Sequence, residues 1–195
     1  ERKAFDAEMA KRLKALNDFV GKTRSHIIHT ARTRTAEYLA AVHAKRNQPS
    51  TENFMLLTDK GAINPYVIHR WEMFLKDARR DNNPVWTVWH RFAVLADDEF
   101  AAKATEVHRE LFAGEAVPIN GRVRAKFEAA PPKSMKEITD GYGALFKAVD
   151  AEWQKQKSEN ACLTDTEAEA LRQVLYGANS PPMIPRRMGW GFLAL

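Results

Sequence analysis

Four groups of residues in this chain of 195 carry side chains able to bind or react. The first is a basic run, Lys22, Arg24, Arg32 and Arg34. Cations along one stretch of helix can follow a phosphate backbone, which makes these four the candidate polyanion contacts. The competing reading is a solvated helix face, because Glu8, Asp18 and Glu37 dilute the charge and no recognisable nucleic-acid module accompanies it. The second group is His26 and His29, one helical turn apart within that run. They lack a third ligand, an H-E-x-x-H pattern and an adjacent carboxylate, so no metal ligand is assigned. The third group is aromatic: Trp86-x-x-Trp89-His90, with Trp71 upstream. Such rings can line a ligand pocket or stack on bases or sugars. Their helical spacing points instead to a packed core. The fourth is Cys162, which has no histidine or basic neighbour in sequence to activate a thiolate. Gly-rich phosphate loops, G-x-S-x-G, C-x-x-C-H and paired-carboxylate motifs are missing from the sequence. No catalytic residue, cofactor ligand or metal ligand is therefore named, and the segment by itself reads as non-enzymatic.

Composition narrows the setting. Hydrophobic residues make up 45% and charged residues 28%, ordinary values that exclude wholesale disorder. No run of about 18 apolar residues occurs, so the sequence encodes no membrane-spanning helix. A single cysteine excludes an internal disulfide and Cys-rich zinc or haem motifs. Residue 1 is Glu, and no basic segment followed by an apolar stretch is visible as an export signal, so location stays open. The net charge of +5 is unevenly placed: residues 1–47 hold 11 Lys/Arg against 5 Asp/Glu, and the remainder is close to neutral. The basic character belongs to the first segment.

The elements that must position these residues are helices. Residues 3–46 contain no proline and one glycine, Gly21, and are rich in good helix formers. Phe5, Met9, Leu13, Leu16, Val20, Ile27, Ala31, Thr35, Tyr38 and Val42 recur at an eleven-residue spacing of 4-4-3, with Arg24 as an interior exception. That period predicts a nearly straight helix or slight right-handed supercoiling. At about 44 residues it would be about 65 Å long, more than a small domain can cover. Part of its apolar stripe must pack on something beyond the domain, and Gly21 is the expected place for any break. Residues 48–63 read as a connection, with Phe54-Met55-Leu56-Leu57 anchoring it.

A bundle follows over 64–177. Asn64 and Pro65 predict a capped helix start, with Val67, Ile68, Trp71, Phe74, Leu75 and Ala78 on one face. A third helix is expected over Val85–Leu95, and a fourth capped by Asp97 or Asp98 and stopped at Gly114. A short helix is expected around Val123 and Phe127. Two capping boxes, Ser134 with Glu137 and Thr164 with Glu167, predict the last two helices, and Gly177 suits the closing position. No strand pattern appears. The fold class is all-α: a long N-terminal helical arm over 1–47, then a small bundle of about five or six helices, then an irregular tail over 178–195.

Several stretches carry a family resemblance. They are Asn64-Pro65 with Arg70-Trp71 and Leu75, Asn83-Pro84-Val85, and Trp89-His90-Arg91-Phe92. They continue with Pro131-Pro132-Lys133-Ser134, Tyr142-Gly143 with Leu145-Phe146, and Ala170 to Gly177 before Ser180-Pro181. In this order, over about residues 54–187, they resemble the middle region of the large planctomycete cytochrome-c-domain proteins. Those are long secreted proteins with an optional haem domain and two conserved domains of unknown function. The resemblance implies an exported fragment that joins two domains through a helical arm. It does not imply haem binding, because the haem-attachment motif lies elsewhere in such proteins. The end departs from the pattern, since Met188 to Leu195 is apolar with two glycines, which suggests a truncated or frameshifted product.

The expected function is a non-enzymatic connecting or interaction module of a larger exported protein. Its expected partners are flanking domains of the same parent, a partner helix or a second copy, with nucleic acid disfavoured. Two alternatives are polyanion binding through the basic first helix, and a non-catalytic part of an extracellular polymer-degrading enzyme.

Overall fold

The computed structural model describes residues 2–45, 62–114, 117–157 and 161–184, and all regular structure among them is helical. Eight helices follow in order: α1 (Arg2–Thr33), α2 (Thr35–Lys45), α3 (Pro65–Arg80), α4 (Thr87–Phe92), α5 (Phe100–Phe112), α6 (Gly121–Phe127), α7 (Met135–Gln156) and α8 (Thr166–Tyr176). The loop anchor expected at Phe54 to Leu57 and the tail from 185 onward lie outside the described residues.

The first helix passes Gly21 unbroken. One glycine costs a helix about 1 kcal/mol, too little to interrupt a long run of good formers. The interruption falls at Arg34, where threonine hydroxyls compete for helix carbonyls. Thr33 Oγ1 donates to His29 O at 3.1 Å, and Thr35 Oγ1 to Arg32 O at 2.9 Å. Such back-bonding bends helices. The backbone bond from Arg34 N to Thr30 O (3.0 Å) persists, so α2 takes up almost where α1 ends.

The expected arm of residues 1–47 is therefore only partly an arm. Ile27 and Ala31 of α1, and Thr35, Tyr38 and Leu39 of α2, are buried in the bundle. α2 packs between α3 and α7. Its approach to α7 depends on Gly143, where an added Cβ would lie 2.7 Å from the Ala36 Cβ. Tyr38 Oη accepts a hydrogen bond from Asn64 N at 3.1 Å and so fixes the start of α3 against α2.

α7 is the central helix and touches α2, α4, α6 and α8. Its Tyr142 is fully buried and stacks on Trp86 with ring centroids 4.9 Å apart. The Tyr142 hydroxyl donates to Val85 O at 2.7 Å and accepts from Trp89 N at 3.2 Å, which ties the short α4 to α7. Trp71, Trp86 and Trp89 are all buried in this cluster, with Phe146 beside Trp71 and Trp86. The aromatic group is core, as its helical spacing indicated.

Helix starts follow the expected chemistry with three corrections. Asn64 Oδ1 accepts from Tyr66 N and Val67 N. Asn120 does the same for Arg122 and Val123. Ser134 Oγ accepts from Glu137 N, but Glu137 returns its bond to Lys133 N rather than to Ser134. The cap of α8 is Asp165, not Thr164; its Oδ1 accepts from Glu167 N at 2.8 Å. A carboxylate one residue on also holds Arg122, which explains the shift. α5 starts after Glu99 with no side-chain cap, so neither Asp97 nor Asp98 serves. Gly177 closes α8 with φ −62°, not in the left-handed region; glycine is needed there for space, since a Cβ would lie 2.6 Å from Gln173 O.

The irregular segment beyond 177 is largely packed from Ser180 to Ile184. Ser180, Pro181, Pro182 and Ile184 are buried. Arg70 donates to Ser180 O (2.8 Å) and Pro181 O (2.9 Å).

Two stability measurements check this account. Gly143→Ala is expected to lower unfolding free energy by about 1–3 kcal/mol despite alanine's higher helix propensity, because the clash is with a side chain that cannot rotate away. Ala36→Gly in the same chain should recover part of the loss in a double-mutant cycle. Tyr142→Phe should cost about 1–3 kcal/mol by leaving the buried Val85 O and Trp89 N without their partner.

Candidate functional site

The feature least explained by folding is the outer part of α1. Phe5, Met9, Leu13, Leu16 and Phe19 are exposed, with Phe5 at 65%, Leu13 at 58% and Phe19 at 61%. Large apolar side chains grouped in solvent mark interaction surfaces. Phe5, Met9, Leu13 and Leu16 belong to one stripe, with Phe19 at its edge: Leu16 and Val20 sit eleven residues before Ile27 and Ala31, just over three full turns, so all four share a helix side. At Ile27 and Ala31 that side is core; Val20 is half-buried, and from Leu16 outward the side faces solvent.

Among the candidate polyanion contacts, three are engaged inside the molecule. Arg24 Nε donates to Ile184 O at 3.0 Å, and its Nη2 reaches the same oxygen. Arg32 Nε donates to Leu175 O at 3.1 Å, and its guanidinium lies 3.9 Å from the centre of the Tyr176 ring. Leu175 is in the last turn of α8, where carbonyls lack helical donors and a cation is favoured by the helix dipole. Burial lowers the Arg32 pKa, an effect opposed by Tyr176 and Asp150. The Tyr176 hydroxyl, half-buried and hydrogen-bonded to Asp150, is pushed up to about 12. Arg34 pairs with Glu37, whose carboxyl is thereby held below its usual range. Lys22 is exposed. The four are thus not brought together as one surface.

His26 and His29 are exposed, and no group of three or more metal-ligating side chains forms among the described residues. Cys162 is exposed. No helix among the described residues is long and apolar enough to cross a membrane.

A pocket of about 310 Å³ lies between α2, α3 and α4, at a place where the spacing of Trp89 and His90 pointed to core packing rather than to a pocket lining. Val42, Leu75, Trp89 and Val94 give it an apolar lining, with Glu72, Lys76 and Arg79 also on its wall. His90 lines it too, and burial, with a smaller contribution from Arg79, lowers its pKa to about 4. A neutral imidazole beside apolar walls can accept or donate one hydrogen bond. The only sequence signal for this place was the Trp89-His90 pair, because a pocket across three helices has no local pattern.

With this geometry in hand, comparison with protein families, curated proteins and solved structures finds no match to the chain. The planctomycete resemblance therefore stands on its quoted residues alone.

The His90 environment sets a pH dependence. The unfolded chain takes up the histidine proton near pH 6.5, the folded one near 4. Stability is complete above 6.5 and falls as pH drops through that window, with a slope of at most about 1.4 kcal/mol per pH unit. Unfolding curves between pH 4 and 7 should show this slope, and His90→Leu should remove it.

Proposed function

We propose that the chain is a non-enzymatic helical connecting and interaction module of a larger exported protein. The single observation that carries the reading is the exposed apolar stripe on α1 from Phe5 to Leu16. In water those side chains gain nothing from the helix they sit on. Covering one Leu, Met or Phe is worth about 1.5–3 kcal/mol, so a partner surface along the stripe would be bound through area alone. The bundle's part is to hold the helix. Ile27 and Ala31 are buried, and Arg24 and Arg32 bind the segment around Leu175 and Ile184, so the projecting end leaves the body at a fixed place. A rigidly held arm loses less freedom on docking than a loose one. The resemblance to the middle region of secreted multi-domain proteins supports export and a linking role between domains. Polyanion binding is the weaker reading, because Arg24, Arg32 and Arg34 are spent on internal contacts.

The reading predicts that the stripe does little for the fold of a single chain. At low protein concentration, Leu13→Ala and Leu16→Ala should change unfolding free energy by less than about 0.5 kcal/mol, as surface substitutions do. Leu39→Ala, in the core, should cost about 2–5 kcal/mol. A loss at Leu13 of the core size that persists at every concentration would mean that the chain's own residues cover the stripe, and would reject the proposal.

A further inference from the structure

We infer that the stripe is covered by the same stripe of a second copy, with the two α1 helices antiparallel. The inference rests on the reading of the arm as a docking surface and names its occupant.

The face beyond Val20 is already taken. Ile27 and Ala31 are packed in the bundle, so a partner helix lying on the stripe has room only as far as about Thr23. A parallel second copy would have to continue along this face past that point, into the first copy's bundle. An antiparallel copy would not. Reversing the helix about the point between Arg12 and Leu13 sets Phe5 opposite Val20 and Met9 opposite Leu16, with Leu13 at the crossing. In that register the partner's Arg2 lies level with Thr23, short of the bundle, and the two bodies sit at opposite ends.

The apolar pattern tolerates this reversal. Its spacing from Phe5 to Val20 is 4-4-3-4, which reads 4-3-4-4 backwards, so apolar side chains meet at Phe5 with Val20 and Met9 with Leu16, while the two Leu13 side chains are offset by one residue at the centre. The charges also permit it. Asp6, Glu8 and Arg12 border the stripe, and Glu8 already holds Arg12 at 2.9 Å. Lys3, Lys11, Lys14 and Lys22 lie about 120° or more around the helix from the stripe centre at 100° per residue, whereas Arg2 lies on the stripe side at its outer end. The four lysines point away from a partner, and Arg2 comes level with the second copy's uncharged Thr23, so the charges neither repel a second copy strongly nor select an acidic one.

The area is sufficient for a weak to moderate homodimer. The exposed stripe residues offer on the order of 500 Å² per copy, so pairing removes on the order of 1,000 Å², near the lower bound for specific interfaces.

The test uses the full chain. Sedimentation should show a concentration-dependent monomer–dimer equilibrium, and Leu13→Glu should leave helicity by circular dichroism unchanged while removing the dimer. Register is read in a Cys162→Ser background carrying either Met9→Cys or Leu16→Cys. Under mild oxidation, an equal mixture of the two should give disulfide-linked dimer in yield roughly fivefold above either variant alone, since only opposed positions come within disulfide reach. Preferential linking of Met9→Cys to itself would overturn the antiparallel arrangement. A chain that stays monomeric at hundreds of micromolar would overturn self-pairing. That result leaves the docking reading intact if Leu13→Ala is stability-neutral, whereas a core-sized, concentration-independent loss at Leu13 defeats both.

Discussion

A helix of 32 residues is about 48 Å long, and the body of this protein is in reach of only its final turns. That mismatch governs the rest. Helical hydrogen bonding runs unbroken through α1, so whatever fixes the inner turns also fixes the direction of the outer ones. Ile27 and Ala31 supply apolar anchorage, and Arg24 and Arg32 supply polar anchorage to the chain segment that closes the bundle. The apolar side that makes the anchorage is the side left bare beyond it. Core and surface are two lengths of one continuous stripe.

The arginines show how a basic composition can arise without an anionic partner. The last turn of α8 and the turns after it present carbonyls that no helix satisfies, at Leu175, Ser180, Pro181 and Ile184. Arg32, Arg70 and Arg24 donate to these. Lysine would serve poorly, since a planar guanidinium can place two donors on neighbouring oxygens and still stack on a ring such as Tyr176. Partial burial opposes the charge on Arg32, and the Asp150–Tyr176 pair beside it offsets that cost. Positive charge concentrated in the first segment is thus partly a structural fastener for the last described one.

The sequence exposed what depends on local pattern. Eleven-residue periodicity gave the long helix, and Asn64-Pro65 gave the start of α3. The tryptophan spacing placed Trp71, Trp86 and Trp89 in the core. It hid what depends on distant neighbours. Arg24, Arg32 and Arg34 looked like one charged run because their acceptors are 160 and 143 residues away in two cases, and a nearby Glu37 in the third. Asp165 displaced Thr164 as a cap because it is also held by Arg122, itself tied to Glu152 on α7. Gly21 looked like the weak point of the helix, yet hydroxyls at Thr33 and Thr35 set the break through bonds to their own preceding turn. The exposed stripe was half legible: its length announced that something must remain uncovered, but only the position of the bundle decides which half.

Phe5, Met9, Leu13 and Leu16 are not needed to make α1 helical. Lysine, glutamate or glutamine in their place would have similar helix propensity to leucine or methionine, and better than phenylalanine, without exposing apolar area to water. Gly21 and the neighbouring polar residues show that the outer turns tolerate other side chains away from the stripe. The apolar positions alone keep the period of the buried face, turn after turn, for about 22 Å beyond the place where burial ends. A helix that only had to reach outward would need no such continuity. One whose outer turns are to be buried as its inner turns are, by a surface that arrives separately, requires it.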